Sequence, residues 1–293
     1  MKKLLTLAAC VFAAMAVGVV PAAGVTNDFV PDNEHPFVGL VVFYDEEGEF
    51  SHRCSGSLLT PIVFLTAGHC TDGATTARVY FQQDAGANFD PETEVDPVTG
   101  YPETCAGSTL GVTCATSDEL YNFGFDDFAG FPNTMDAGLV ILDQPIQLSE
   151  YGQLAAPGTL ETVVSRTRKN DIIFTVSGYG LTLSNPVHFL SFRSRLMGTA
   201  RLVNLNSALN AGFNLQTGGN GRGRAGTCSG DSGGPVFLGD TPSNLIVAVT
   251  SFGLNAWCRG TDFAFRTDTE AVINWILATV PESEVSKIQI VRL

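Results

Sequence analysis

Short runs of β-branched and aromatic residues recur along the chain, each closed by Gly, Pro or Asn, and this texture constrains the fold more than any other feature. Examples are FVGLVVFYD from Phe37, IVFLTAGHC from Ile62, GLVILD from Gly138, DIIFTVSGYG from Asp171, NLIVAVTSFG from Asn244 and DFAFRT from Asp262. Many short strands with turn signals between them predict an all-β barrel or sandwich. With 293 residues and 44% hydrophobic side chains, the chain can bury a sizeable core in one large domain or two small ones. One segment reads differently: in TEAVINWILATV, Thr269 to Val280, residues Val272, Trp275, Ile276 and Thr279 fall near one face of a helix. Such a helix would pack against a barrel rather than carry chemistry.

Residues 1–24 carry Lys2 and Lys3, an apolar run from Leu4 to Val20 and small residues after it, the layout of a secretory signal peptide. No later apolar run is long enough to cross a bilayer, so a secreted, extracellular product without stable membrane association is expected. Leu7-Ala8-Ala9-Cys10 also has the form of a lipoprotein signal, but the apolar run continues past it. Of the 7 cysteines, loss of the leader removes Cys10 and leaves Cys54, Cys70, Cys105, Cys114, Cys228 and Cys258. An even set in an exported chain reads as three disulfides. Zinc is the rival use, but no two of these cysteines stand at C-x-x-C spacing and only His69 adjoins one. No metal or cofactor is expected. The formal charge of −14 becomes −16 once the two leader lysines are gone, which argues against nucleic acid as a partner.

GTCSGDSGGP, from Gly226 to Pro235, crowds one hydroxyl, Ser232, with glycines that let backbone approach a ligand closely. A tight turn is the plain alternative. A serine hydroxyl needs a base to become a nucleophile, and the 4 histidines, His35, His52, His69 and His188, all precede it. That order excludes the α/β-hydrolase elbow, which Gly230-Asp231-Ser232-Gly233-Gly234 otherwise matches, because its histidine follows its serine. Gly221 to Gly226 satisfies G-x-G-x-x-G, but no strand feeds it, so the dinucleotide reading fails its context. His69 ends an apolar strand, beside a cysteine, and Asp136 heads another in NTMDAGLVIL. Asp126 and Asp127 are rivals for the third place, but neither runs into a strand.

LTAGHC, MDAGLVIL and CSGDSGGPV, in the order His, Asp, Ser, together resemble the chymotrypsin-type (trypsin-like) serine protease family. The resemblance runs from about Pro36 to Val280 and includes CSGSLLTP at Cys54, VSGYG at Val176 and TSFG at Thr250. It implies two antiparallel six-stranded barrels with a C-terminal helix, within a domain of residues 25–293 whose halves meet near 145–165. It implies Ser232 as nucleophile, His69 as general base and acid, Asp136 as the holder of the imidazole, and the N–H groups of Gly230 and Ser232 as an oxyanion hole. Ser251 would support Asp136. Cys54 would pair with Cys70 and Cys228 with Cys258, which leaves Cys105 with Cys114, a pair without a counterpart in the family. Protein or peptide substrates follow from the same resemblance. A catalytically silent binding relative and an esterase on the same fold are the competing classes.

Three features depart from the pattern or leave it open. From Val79 through Ser165 there are fourteen acids and no lysine or arginine, among them Asp90, Glu92, Glu94 and Asp96. A solvated acidic face is the favoured reading of the 84–127 insertion; calcium lacks the glycine an EF-hand loop needs, since Val95 stands there. The resemblance implies that Gly226 matches the base of the specificity pocket, where it suits uncharged residues, that Gly253 leaves the mouth open, and that Asp262, on the opposite wall, could restore a charge. No I-V-G-G motif marks an activation site, but a cut after Ala22-Ala23-Gly24 would leave Val25 first, with its ammonium against Asp231.

Overall fold

The computed structural model describes residues 25–85, 105, 114–185, 188–190, 193–219 and 223–293. The leader of residues 1–24 and the acids Asp90, Glu92, Glu94 and Asp96 lie outside the described residues.

Two short strands come first, β1 (Thr26–Asn27) and β2 (Phe29–Pro31). A first barrel follows from β3 (Val38–Tyr44), β4 (Phe50–Leu58), β5 (Val63–Thr66), β6 (Thr76–Tyr80), β7 (Cys114–Ser117), β8 (Glu119–Asn122) and β9 (Gly138–Ile141), with the one-turn helix α1 (Gly68–Thr71) after β5. The strands run in the order β7-β6-β3-β4-β5-β9-β8, each antiparallel to its neighbours. Only Asp118 separates the two end strands in sequence, so the sheet curls until its ends meet. The barrel is nearly closed, with seven strands where six were expected, because one strand is broken at that residue. β3 is buried at every position, as a strand of uninterrupted apolar character must be.

The chain leaves this barrel at Ile141 and joins the second with β10 (Gln153–Ala155), then passes through α2 (Thr159–Arg166). Next come β11 (Ile173–Gly178), the hairpin β12 (Leu183–Asn185) with β13 (His188–Leu190), β14 (Leu196–Asn204), β15 (Asn214–Gly218), β16 (Ala225–Gly226), β17 (Pro235–Leu238), β18 (Leu245–Gly253) and β19 (Thr261–Arg266). The order β17-β11-β14-β15-β19-β18 returns to β17, which closes a six-stranded barrel. Closure removes the exposed edges that would otherwise invite aggregation. β2 adds to β14, and β1 pairs with β16 in the register Thr26 opposite Gly226.

The expected C-terminal helix is α3 (Glu270–Thr279), followed by α4 (Glu282–Val285) and β20 (Ile290–Val291). The Thr269 hydroxyl caps α3 by accepting the Val272 N–H at 3.4 Å. Val272, Ile276 and Val280 pack into the first barrel's apolar cluster, and Trp275 rests on Phe123 with ring centroids 5.2 Å apart. Ile273, not Thr279, completes the buried face: Ile273 is buried, whereas Thr279 is half-buried. The three disulfides join Cys54 to Cys70, Cys105 to Cys114 and Cys228 to Cys258.

Candidate active site

The pairing of β5 with β9 assembles the first part of the site. Thr66 lies opposite Gly138, so the turn after β5, which carries His69, meets the segment leading into β9, which carries Asp136. The His69 N–H donates to Asp136 Oδ1 at 2.7 Å, and His69 Nδ1 lies 2.9 Å from Oδ2 and 3.1 Å from Oδ1. Ser251 Oγ, at the end of β18, donates to Oδ2 at 2.5 Å. Asp136 is fully buried while the His69 side chain is 25% exposed, so the carboxylate is fixed and the ring reaches solvent. Both oxygens accept charge-assisted bonds, which hold the ring's orientation and favour the tautomer with its proton on Nδ1.

Ser232 sits on a loop whose backbone is pinned from several sides. The Ser55 N–H donates to the Ser232 carbonyl at 2.8 Å, the Gly233 N–H to Thr250 O at 2.7 Å, and the Gly234 N–H to Asp231 O at 2.8 Å. Gly233 has φ +76°, and a Cβ there would stand 2.1 Å from Thr66 Oγ1, so only glycine lets the loop press against β4 and β5. The amides of Cys228, Asp231, Gly233 and Gly234 all have acceptors, whereas those of Gly230 and Ser232 have none among the described residues. The Gly230 and Ser232 amides, on either side of the paired Asp231 amide, can thus meet an anionic oxygen. The Ser232 hydroxyl carries no hydrogen bond to His69 among the described residues; in free enzymes such bonds are often long and tighten on substrate.

Beside Ser232 opens a cavity of about 360 Å³, lined among others by Thr227, Ser251, Gly253 and Asp262. Gly226 is not among the residues that line it but lies next to Thr227 and Asp262, which do, and a Cβ there would lie 3.0 Å from Thr26 Oγ1 and 3.1 Å from Asp262 Oδ2. The expectation of an uncharged pocket therefore meets a carboxylate. Asp262 stands on β19 next to the missing side chain of Gly226, and its Oδ2 accepts the Thr227 N–H at 2.9 Å. Burial pushes the Asp262 carboxyl up to about 6, against the opposing pull of Thr227. A Cβ at Gly253 would meet nothing closer than 3.9 Å, so a side chain there would project into open space at the mouth.

Asp231 lies beneath the loop, fully buried. It accepts the Cys228 N–H at 2.9 Å, the Gly180 N–H at 2.8 Å and the Val25 N–H at 3.3 Å. Burial pushes this carboxyl up to about 7, and those three amides and Asp262 act on it in opposite senses. Of the other histidines, His35 is buried against Asp32, His52 bonds to Cys70 O at 2.8 Å, and the side chain of His188 lies outside the described residues. Cys54, His69 and Cys70 bring three potential metal-ligand atoms within 4.8 Å, but the two sulfurs are joined to each other and cannot serve as thiolates.

Two groups of residues were given no role by the sequence, and their contacts emerge only from the structure. An aromatic row leads from His69 to the pocket wall: Phe125 is 5.8 Å from His69, Phe128 is 5.1 Å from Phe125, and Phe252 is 5.5 Å from Phe128 and stacks on Phe263 at 4.6 Å. The run FGFDDFAGF holds that signal in its repeated phenylalanines. Ser55 is the other, a polar residue in an otherwise buried stretch of β4.

A family model described as Trypsin matches residues 25–276. The chain belongs to the trypsin family. By class it is a serine-type endopeptidase, a hydrolase. Brachyurin of Leptuca pugilator is 30% identical over 228 residues, which cover 76% of this chain and 85% of that protein. Serine protease 7 of Drosophila melanogaster is 28% identical over 87% of this chain, which spans 64% of that relative's length. Chymotrypsin of Phaedon cochleariae is 28% identical, covering 78% of this chain and 72% of its own. Among solved structures, HL collagenase superposes with a TM-score of 0.57 at 18% identity, over 83% of this chain and 92% of that one, a likeness of fold. No helix among the described residues is long and apolar enough to cross a membrane.

Proposed function

We propose that this trypsin-family chain is a secreted endopeptidase that cleaves peptide bonds through Ser232, His69 and Asp136 by way of an acyl-enzyme. The observation that carries the reading is the buried Asp136, whose oxygens take the His69 N–H, His69 Nδ1 and the Ser251 hydroxyl. With Nδ1 committed to Asp136, the opposite nitrogen of His69 serves as the base. It takes the Ser232 proton as the hydroxyl oxygen attacks the peptide carbonyl, and it returns that proton to the leaving amine. The unpaired Gly230 and Ser232 amides receive the oxygen that turns negative. Water then attacks the ester by the same proton path and frees the carboxylic acid.

Asp262 sets the preference before the scissile bond in this reading. When ionised it draws basic side chains into the pocket, and when protonated it leaves the pocket to uncharged ones. Signal cleavage at Gly24 would turn the Val25 amide, already on Asp231, into an ammonium. A buried carboxylate facing only amides would then gain a counter-charge, which locks the nucleophile loop. Acidic net charge argues for protein or peptide substrates over nucleic acid.

Ser232→Ala tests the assignment. Peptide and ester hydrolysis by the purified protein should both fall by about 10⁶, with an unchanged circular dichroism spectrum. Hydrolysis at the wild-type rate would remove the assignment, and a wild type that cleaves esters but no peptide would make it an esterase. N-terminal sequencing of the secreted protein should begin at Val25; an active protein beginning elsewhere would refute the processing step.

A further inference from the structure

We propose that Ser55 is a positioning residue for the nucleophile loop, acting through its hydroxyl on the Gly230 peptide; the proposal rests on the endopeptidase reading above. Ser55 lies on β4 and is fully buried. Its Oγ donates to the Gly230 carbonyl at 2.8 Å and accepts the Tyr179 N–H at 2.9 Å. Its own N–H donates to the Ser232 carbonyl at 2.8 Å. One residue of the first barrel therefore grips the main chain on both sides of Asp231, in a loop that belongs to the second barrel.

The directions of these bonds are forced. The Tyr179 N–H can only donate, so the single hydroxyl proton of Ser55 is left for Gly230. Gly230 has φ +94°, a conformation with little intrinsic resistance to rotation, and its N–H is one of the two that would meet the oxyanion. Among the described residues the Ser55 hydroxyl is the one donor to the Gly230 carbonyl. Together with the Asp231 N–H bond to Cys228 O at 2.9 Å, it anchors the Gly230–Asp231 peptide plane from both sides and so limits the rotation at Gly230 that would turn its own N–H. Cys54, the preceding residue, is bonded to Cys70, which follows His69. Adjacent residues of one strand thus hold the loop of the base and the loop of the nucleophile. A Thr66 hydroxyl on the Ser55 carbonyl, at 2.8 Å, steadies the strand between them.

A group acting this way should change the transition state more than substrate binding. The experiment compares wild type with Ser55→Ala, using an ester burst to count active sites, a peptide substrate, a peptidyl trifluoromethyl ketone that becomes an oxyanion on the serine, and an unreactive peptide inhibitor. Turnover per titrated site should fall about tenfold with KM within about twofold, and the ketone should bind about tenfold more weakly while the unreactive peptide is unaffected. Turnover and ketone affinity within twofold of wild type would overturn the proposal. So would equal losses for ketone and unreactive peptide, which mark a general loosening of the cleft. Should Ser55→Ala not fold, Ser55→Cys keeps the side chain's size with a weak donor, and the same readings apply. A wild type with neither burst nor peptide turnover would overturn the endopeptidase reading and this proposal with it; an active wild type beside an unaffected variant overturns this proposal alone.

Discussion

The molecule contains the same aspartate, histidine and serine arrangement twice, once in the cleft and once in the core. In the cleft, Asp136 accepts the His69 N–H, His69 Nδ1 and the Ser251 hydroxyl at 2.5 Å. In the core, Asp32 accepts the His35 N–H at 3.0 Å, His35 Nδ1 at 2.9 Å and the Ser177 hydroxyl at 2.5 Å. The carboxylates are alike, so the difference lies at the far nitrogen of each ring. His35 Nε2 meets the Ser243 carbonyl at 3.2 Å, and the ring stacks on Phe237 at 4.4 Å with no exposure. Both of its nitrogens are taken up by protein partners, Nδ1 by Asp32 and Nε2 by Ser243. His69 has no acceptor at Nε2 among the described residues and is 25% exposed. A histidine becomes a base where the fold leaves one nitrogen unspent. Where the fold uses both, the same trio is a clamp.

Replacing each aspartate separates the two roles and should give the largest effect. Asp136→Asn should lower kcat by about 10⁴ through the wrong imidazole tautomer, with the fold intact. Asp32→Asn should leave turnover per titrated site within about twofold. Its effect belongs in denaturant unfolding, where weakening the hydrogen bonds of a buried carboxylate costs about 1.5–3 kcal/mol. A stable but inactive Asp32→Asn protein would break the comparison. Arg195 adds to what that clamp ties together, since it donates to Asp32 O, Val38 O and Phe81 O at 2.9, 3.1 and 3.1 Å.

How far each cluster could be read from the sequence follows from its motifs. His69, Asp136 and Ser232 sit in stretches whose neighbours suit the turn after a strand, the head of a strand and a glycine-rich loop, so the three motifs in their order carried the resemblance from which the site was read. Asp32 and His35 lie far in the chain from Ser177, and no local pattern marks them. Strands with continuous apolar runs, such as β3 and β18, were legible, whereas β14, LMGTARLVN, alternates buried and half-buried residues around a glycine and an arginine and was not. The strand break at Asp118 was hidden for another reason: it is a feature of how the barrel closes, and either side of it reads as ordinary polar edge sequence.

The serines sharpen the comparison at a smaller scale. Ser177→Ala removes a hydrogen bond to a buried charge and should lower unfolding free energy by about 1.5–3 kcal/mol without altering turnover. Ser251→Ala removes the matching bond in the cleft and should show as a lower kcat at similar KM. Thermal unfolding and steady-state kinetics on both variants check this, and a Ser251→Ala enzyme as active as wild type would mean that Asp136 needs only His69.

The smallest expected effect concerns a third buried carboxylate, Asp262, which makes no ion pair among the described residues. Burial raises the Asp32 carboxyl, but the His35 hydrogen bond and charge and the Ser177 hydroxyl outweigh it, so its net shift is downward. Its stabilising contribution is complete above about 4 and is lost as pH falls through the lowered value. Asp262 behaves in the opposite sense. Its carboxyl is pushed from 3.8 up to about 6, so the native state holds its proton more tightly than the unfolded chain, and its contribution declines as pH rises from about 4 to about 6. The functional counterpart is a change in pocket charge over the same window. We expect the ratio of kcat/KM for an arginine substrate over a leucine substrate to rise about tenfold from pH 5 to pH 8, with its midpoint near 6, an effect of about 1.4 kcal/mol. Taking the ratio cancels the pH dependence of the chemical steps that both substrates share. Asp262→Asn should flatten the curve at its low-pH value. If the midpoint persists in that variant, the charge that reads the substrate is not Asp262, and the pocket's resemblance to a buried, unpartnered carboxylate site is without consequence for specificity.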